Sequence, residues 1–374
     1  MKTFFRLSVI FLLFSASLLL PQKAAAFPEM VRKGYPNCVT CHVSPAGGGV
    51  LTEYGREISK DVLATWSGEK ENQFLHGAVK LPEILKIGGD LRRIQTYVNS
   101  PQFETGKWFL MQANIEAALV TERVTVDASA DYDIGNPDTK DDDVWISRRH
   151  FVLGQISDEA SVRVGKFLKN FGLGVADHTV QIRRGIGWDQ GSETYNAEFN
   201  YIAEKFAVTT TYVGGRPDDN EVISEKGVAL TGSYFIEPAY KIGASFFSGK
   251  SNDENTRTIF GPNWSLGFKK IAYWLGEFDL LSQAPKNGKK TIGYVSFNKL
   301  GIEVFRGADL YLLHETKKND TDAKYIDFIG YGPGFQWSPR PHFIFTGQWQ
   351  KQLRPSANKP RTIDTAYFVA QYSI

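Results

Sequence analysis

The sequence predicts a mainly β fold, an antiparallel β-barrel of about 16 strands behind a small helical module. Three observations carry that reading. Apolar and polar residues alternate strictly over many short stretches. Short and long connections alternate along the chain. After the N-terminal leader no run of 18 apolar residues occurs, so a transmembrane helix is not expected.

The leader comes first. Lys2 and Arg6 precede an apolar run from Leu7 to Leu20, and Ala24 and Ala26 give an A-x-A pattern before Phe27. These are the three parts of a secretory signal peptide, predicted over residues 1–26. The net charge of +2 lacks the basic excess of a nucleic-acid binder. No hydrolytic or transferase constellation stands out, so a conventional enzyme is not indicated.

Residues 27–84 differ from the rest. They hold both cysteines, and the stretch TEYGREISKDVLATW (52–66) offers Thr52 as a helix cap, with Leu63 and Trp66 near one face. This part is expected to be a small, mostly helical module.

From residue 85 the period becomes two. In ETYNAEFNY (193–201), Tyr195, Ala197, Phe199 and Tyr201 alternate with Asn196, Glu198 and Asn200. In RVTVDASADY (123–132), Val124, Val126, Ala128, Ala130 and Tyr132 alternate with Thr125, Asp127, Ser129 and Asp131. Each is a strand with one apolar and one polar face. A soluble sandwich can show the same pattern.

The connections separate the two cases. Short turns are expected near 121–123, 157–160, 203–205, 237–239, 269–270, 298–300 and 338–341. Longer polar links fall near 135–144, 216–222, 250–256, 283–290, 316–323 and 353–361. The intervening segments have the length of a tilted membrane strand, about 9–14 residues. That is the layout of an outer-membrane barrel over 85–374, with both termini in the periplasm and lipid outside. In hydrocarbon every backbone group must pair, which a closed barrel achieves. The last strand, TIDTAYFVAQYSI, puts Ala366, Phe368, Ala370, Tyr372 and Ile374 on one face. The stretch 171–191 is read as a loop. Residues 177–193 carry His178, Arg183, Arg184 and Asp189, and such a loop can fold into a lumen and narrow it.

The chemistry sits in Cys38-Val39-Thr40-Cys41-His42, which uses both of the chain's cysteines. C-x-x-C-H is the attachment pattern of one c-type haem: two close thiols bind the porphyrin edge, and His42 offers the proximal nitrogen to iron. A Cys38–Cys41 disulfide would close a tiny loop and contribute little. A zinc site lacks further cysteines, and a thioredoxin pair lacks its βαβ setting. For the distal iron site, Met30 and His76 are the candidates, and a vacant site stays open. Gly47 to Gly49 follow the motif and suit a close backbone pass or positive φ.

FPEMVRKGYPNCVTCH (27–42), followed by a chain patterned as a barrel, resembles the fused monohaem cytochrome–porins of the bacterial outer membrane, which include iron-oxidising cytochromes. The resemblance carries over Cys38, Cys41 and His42. It implies a haem module plugging the barrel and electron transfer across the outer membrane. The implied partners are periplasmic carriers such as soluble cytochromes, and an extracellular donor or acceptor, ferrous iron among them. An oligomer fits the size class. The rival expectation is a passive porin whose haem module is a structural plug or redox sensor.

Overall fold

The computed structural model describes residues 28–133, 144–189, 191–216, 224–355 and 361–374. The signal peptide expected over 1–26 lies outside them. Seventeen strand segments follow one another as β1 (Leu85–Asn99), β2 (Glu104–Val120), β3 (Val124–Asp133), β4 (Val144–Ile146), β5 (His150–Gln155), β6 (Ala160–Phe167), β7 (Thr194–Ile202), β8 (Phe206–Val213) and β9 (Glu225–Glu237). The second half holds β10 (Tyr240–Ser251), β11 (Thr256–Phe268), β12 (Ala272–Ala284), β13 (Thr291–Phe305), β14 (Ala308–Lys318), β15 (Phe328–Arg340), β16 (Phe343–Arg354) and β17 (Arg361–Ser373).

β4 and β5 both pair with β3, and residues 147–149 bulge between them. They are one broken strand, so the wall has 16 strands. Every neighbouring pair is antiparallel, and β1 closes the ring on β17 with Asp90 opposite Ser373 and Asn99 opposite Asp364. The closed ring leaves no sheet edge.

Burial is inverted relative to a water-soluble protein. Along β3, Val124 and Val126 are exposed while Asp127, Ser129 and Asp131 are buried. Along β7, Phe199 is exposed while Asn196, Glu198 and Asn200 are buried. The alternation read from the sequence is therefore polar-in and apolar-out. On β17, Phe368 faces out and stacks on Phe345 at 6.0 Å.

Six of the seven expected short turns stand within a few residues of their predicted places. The one at 298–300 does not: β13 runs straight through Asn298-Lys299-Leu300, and the chain turns at Arg306-Gly307. Gly307 has φ +84°, the left-handed geometry that a tight turn requires and that glycine adopts freely. The short polar triplet was part of a strand whose Leu300 faces out.

The N-terminal segment is not mostly helical, which corrects that expectation. It has a 3₁₀ turn at Pro28–Lys33, one short helix α1 (Glu53–Ile58) running into a π turn at Ser59–Leu63, and a 3₁₀ turn at Phe74–Gly77. Thr52 does cap α1: its Oγ1 accepts the Gly55 N–H at 3.1 Å. Trp66 leaves that helix and meets Trp337 edge-on at 6.1 Å, away from Leu63. The helical run stops at Ala64, whose ψ of 141° is extended.

Residues 28–65 lie within the ring and bond to its inner wall. Arg32 donates to Asp309 at 2.8 Å, Lys299 to Glu29 at 2.5 Å, and Lys33 pairs with Glu303. Arg163 of β6 donates to the Ser44 hydroxyl at 2.9 Å. At the short-turn rim the Thr65 N–H donates to the Ser338 carbonyl at 2.9 Å.

Among the described residues the link between β6 and β7 holds no strand, and it also turns inward. Leu173, Val175, Val180, Ile182, Ile186 and Trp188 are buried against the inner faces of β8 to β14, on residues such as Phe247, Leu275 and Phe297. Trp188 packs edge-on to Phe171 and Phe247 at 4.8 and 4.9 Å. This is the lumen-folded loop the sequence allowed.

Candidate functional site

A cavity of about 380 Å³ remains where the N-terminal segment, the inward loop and the wall meet. Its size is in the range of small-molecule and cofactor sites. Met30, Cys41 and His42 line it from one side and Phe171, His178 and Ile182 from the other.

The C-x-x-C-H run forms a single turn. The N–H groups of Cys41 and His42 both donate to the Cys38 carbonyl, at 3.2 and 3.1 Å. The chain then doubles back, with His42 bridged to Leu51 and the Val43 N–H donating to the Val50 carbonyl at 3.0 Å. Gly47, Gly48 and Gly49, at φ +79°, +70° and +64°, make the reversal. It brings the Gly48 carbonyl 3.0 Å from His42 Nδ1, which donates to it. Anchoring one ring nitrogen on a backbone carbonyl is the arrangement of metal-ligating histidines. Burial, with the Arg149 charge adding, pushes the His42 pKa down to about 4, so its ring is neutral as a ligand must be.

The thiols differ in setting. Cys41 is buried with Met30 and Ile58, beside Tyr35 and Tyr54, whose hydroxyls pair at 2.9 Å. Burial pushes the Cys41 thiol up to about 12, with Cys38 adding to the shift. Cys38 is half-buried behind Gly47, where a Cβ would stand 3.2 Å from its sulfur. Burial raises its pKa too, partly opposed by Lys241. The two sulfurs are not joined as a disulfide. High thiol pKa values make both poor nucleophiles, so a thioredoxin-like role has no support in their surroundings.

Of the two residues proposed for the distal position, only Met30 lines the cavity. His76 is exposed at the short-turn rim and meets His342 edge-on at 4.6 Å. His342 in turn sits between the carbonyls of Ser373 and Glu71, at 2.7 and 2.9 Å. Among the described residues no three His, Cys, Asp or Glu side chains gather as a metal cluster. A haem iron asks the protein for axial atoms only, so this leaves the haem motif untouched.

Cations surround the cavity. The bulge at 147–149 brings Arg148 and Arg149 to it, and Arg92, Arg163, Lys169 and Arg183 add to them. Bulges commonly re-aim side chains in this way. Arg149 Nε lies 3.5 Å from Glu116, and its guanidinium covers Gly48 and Gly49. Sequence reasoning singled out Arg183 and Arg184 and missed Arg148 and Arg149. Nothing in Ser-Arg-Arg-His signals a bulge.

The chain is similar in fold to outer-membrane porins. OmpT of Vibrio cholerae, in a form lacking its loop L8, aligns with a TM-score of 0.61 at 13% identity, over 78% of this chain and 99% of that one. An in-vitro folded trimer form of OmpT gives 0.60 at 12%, over 78% and 99%. An anion-selective porin from Comamonas acidovorans gives 0.57 at 10%, again over 78% and 99%. No family profile and no curated protein matches the chain. The likeness therefore concerns the barrel, and it leaves out a share of this chain about the size of residues 1–84.

Proposed function

We propose that this protein is an outer-membrane porin-cytochrome that carries one covalent c-type haem and moves electrons across the outer membrane. The apolar outer face supports the lipid setting. Leu230, Phe246, Phe260, Leu280, Leu300 and Leu312 are exposed on consecutive parts of the wall, and burying such a belt in lipid is favourable. The short-turn rim, which carries residue 85 and the C-terminus, would face the periplasm.

The observation that carries the haem reading is the placement of C-x-x-C-H: one turn inside the lumen, with Cys41 and His42 on a cavity and His42 anchored through Nδ1. Cys38 and Cys41 would hold the ring edge through thioethers, and His42 Nε2 would face iron. A bound haem supplies one-electron transfer. Apolar Met30, Ile58, Phe167, Phe171 and Ile182 would keep water from its faces. Arg148 and Arg149 would offset its propionate charge. Periplasmic cytochromes on one side and an extracellular donor or acceptor such as ferrous iron on the other would complete the circuit.

The passive-porin reading is less well supported, because two segments occupy the lumen. The test separates them. The full chain, expressed in a host that matures c-type cytochromes, is expected to show sharp reduced haem bands that Cys38→Ala removes. In intact cells an impermeant reductant should reduce that haem. A haem-free protein with large single-channel conductance in planar bilayers would overturn the proposal.

A further inference from the structure

We propose that His178, rather than Met30 or His76, is the second axial ligand of the haem. This rests on the haem reading above. His178 sits on the inward loop and lines the same cavity as His42. Its Nδ1 donates to Asp189 Oδ1 at 3.0 Å. Its Nε2 is buried and has no hydrogen-bond partner. A buried polar atom left unpaired carries its full desolvation cost, so such an atom in a cavity wall points to a missing partner. A histidine that gives one nitrogen to a carboxylate and keeps the other bare is arranged as metal ligands are.

The loop is held so that this ring stays put. Asp177 accepts from the Tyr367 hydroxyl of β17 at 2.6 Å, and from the Thr179 N–H and hydroxyl at 2.8 and 2.7 Å. The Asp189 main-chain carbonyl accepts the Ser192 N–H at 3.0 Å. Arg183, between the two carboxylates in sequence, donates to the Val175 carbonyl at 2.7 Å. The alternatives are worse placed. Met30 is packed into the cluster around Cys41 and Ile58. His76 is at the rim with His342.

The assignment gives the two lumen-filling segments one shared purpose. His42 comes from the N-terminal segment and His178 from the loop between β6 and β7, so a haem would be clamped between them. Two imidazoles leave no open coordination position and lack the sulfur ligand that raises the potential of Met/His cytochromes. The protein would pass electrons at a comparatively low potential without binding a small molecule at iron.

The experiment is electron paramagnetic resonance and near-infrared magnetic circular dichroism on the oxidised, detergent-purified full chain. The expected wild-type result is a low-spin haem with two nitrogen ligands. His178→Ala should give a high-spin haem, which added imidazole returns to low spin. Asp189→Asn should keep the low-spin signal and raise the midpoint potential. Heat-modifiable migration on gels would show that each barrel is folded. The inference is overturned if His178→Ala leaves the spectrum unchanged. A sulfur-to-iron charge-transfer band that Met30→Leu abolishes would also overturn it. Absence of any haem from the wild-type chain would instead overturn the underlying haem reading.

Discussion

The lumen is filled from two directions by segments held in different ways. Residues 28–65 dock through charge: Arg32 to Asp309, Lys33 to Glu303, Glu29 to Lys299. The loop between β6 and β7 docks through apolar surface, with its Leu, Val, Ile and Trp residues buried on β8 to β14. The loop is fixed to the wall at both ends, and main-chain hydrogen bonds such as Leu173 N–H to Glu277 at 2.6 Å and Gln181 N–H to Glu315 at 2.5 Å add direction to its apolar contact. The N-terminal segment joins the wall only at β1, and directional ion pairs set its register against a polar inner face. Polar inner walls are what a porin-like strand offers, since its apolar side faces outward. The apolar patch under the loop is a local exception to that rule.

Breaking one anchor should therefore loosen one segment and spare the other. Arg32→Ala is expected to have the largest effect, since it leaves Asp309 buried without its ion-pair partner. Losing one member of a buried pair costs about 3–5 kcal/mol. Hydrogen exchange should speed up over residues 28–65 and stay unchanged over 173–188. Replacing both partners, as Arg32→Met with Asp309→Leu, should recover most of the loss. Equal acceleration in both segments after Arg32→Ala would mean that they do not dock independently.

Ile186→Ala is the complementary break. Ile186 is buried in the loop's apolar cluster, and such truncations cost about 2–5 kcal/mol. Exchange should speed up over 173–188 alone, and channel conductance should rise. A wild-type conductance trace would refute the loop as a constriction.

The third break concerns Lys169, buried 4.3 Å over the Trp188 ring. Burial, with the Arg257 charge adding, lowers its pKa from 10.5 to about 7 against the pull of Glu225. Between those values the unfolded chain binds more protons, so stability should rise as pH rises from about 7 towards 10.5. Lys169→Met should flatten that slope in urea midpoints measured at the two ends of the window. An unaltered slope would show that the lysine is solvated.

Much of the wall was legible because strand alternation is local and repeated. Tyr195 to Tyr201 and Val124 to Tyr132 announce their faces without reference to any partner. The direction of inversion, apolar outward, was legible only from connection lengths. The turn at Gly307 was misread because Asn-Lys-Leu looks like a turn and nothing local says that β13 continues. C-x-x-C-H was legible because it needs only neighbouring residues. The Arg148-Arg149 bulge and the His178–Asp189 pair were not, because each depends on what the fold brings alongside. His178 was seen as a loop residue among arginines, and its bare nitrogen exists only once the loop enters the lumen.

Cys41 is 3% exposed, beneath Met30 and Ile58 and within a closed ring of strands. A thiol in that position offers nothing to a haem arriving from solution. On the haem reading, both thioether bonds must be made while the N-terminal stretch is still an open chain in the periplasm. Insertion of the barrel then comes second in the order of manufacture. The ring closed by β1 and β17 would seal a finished redox centre, and a chain that closed early could not be loaded afterwards.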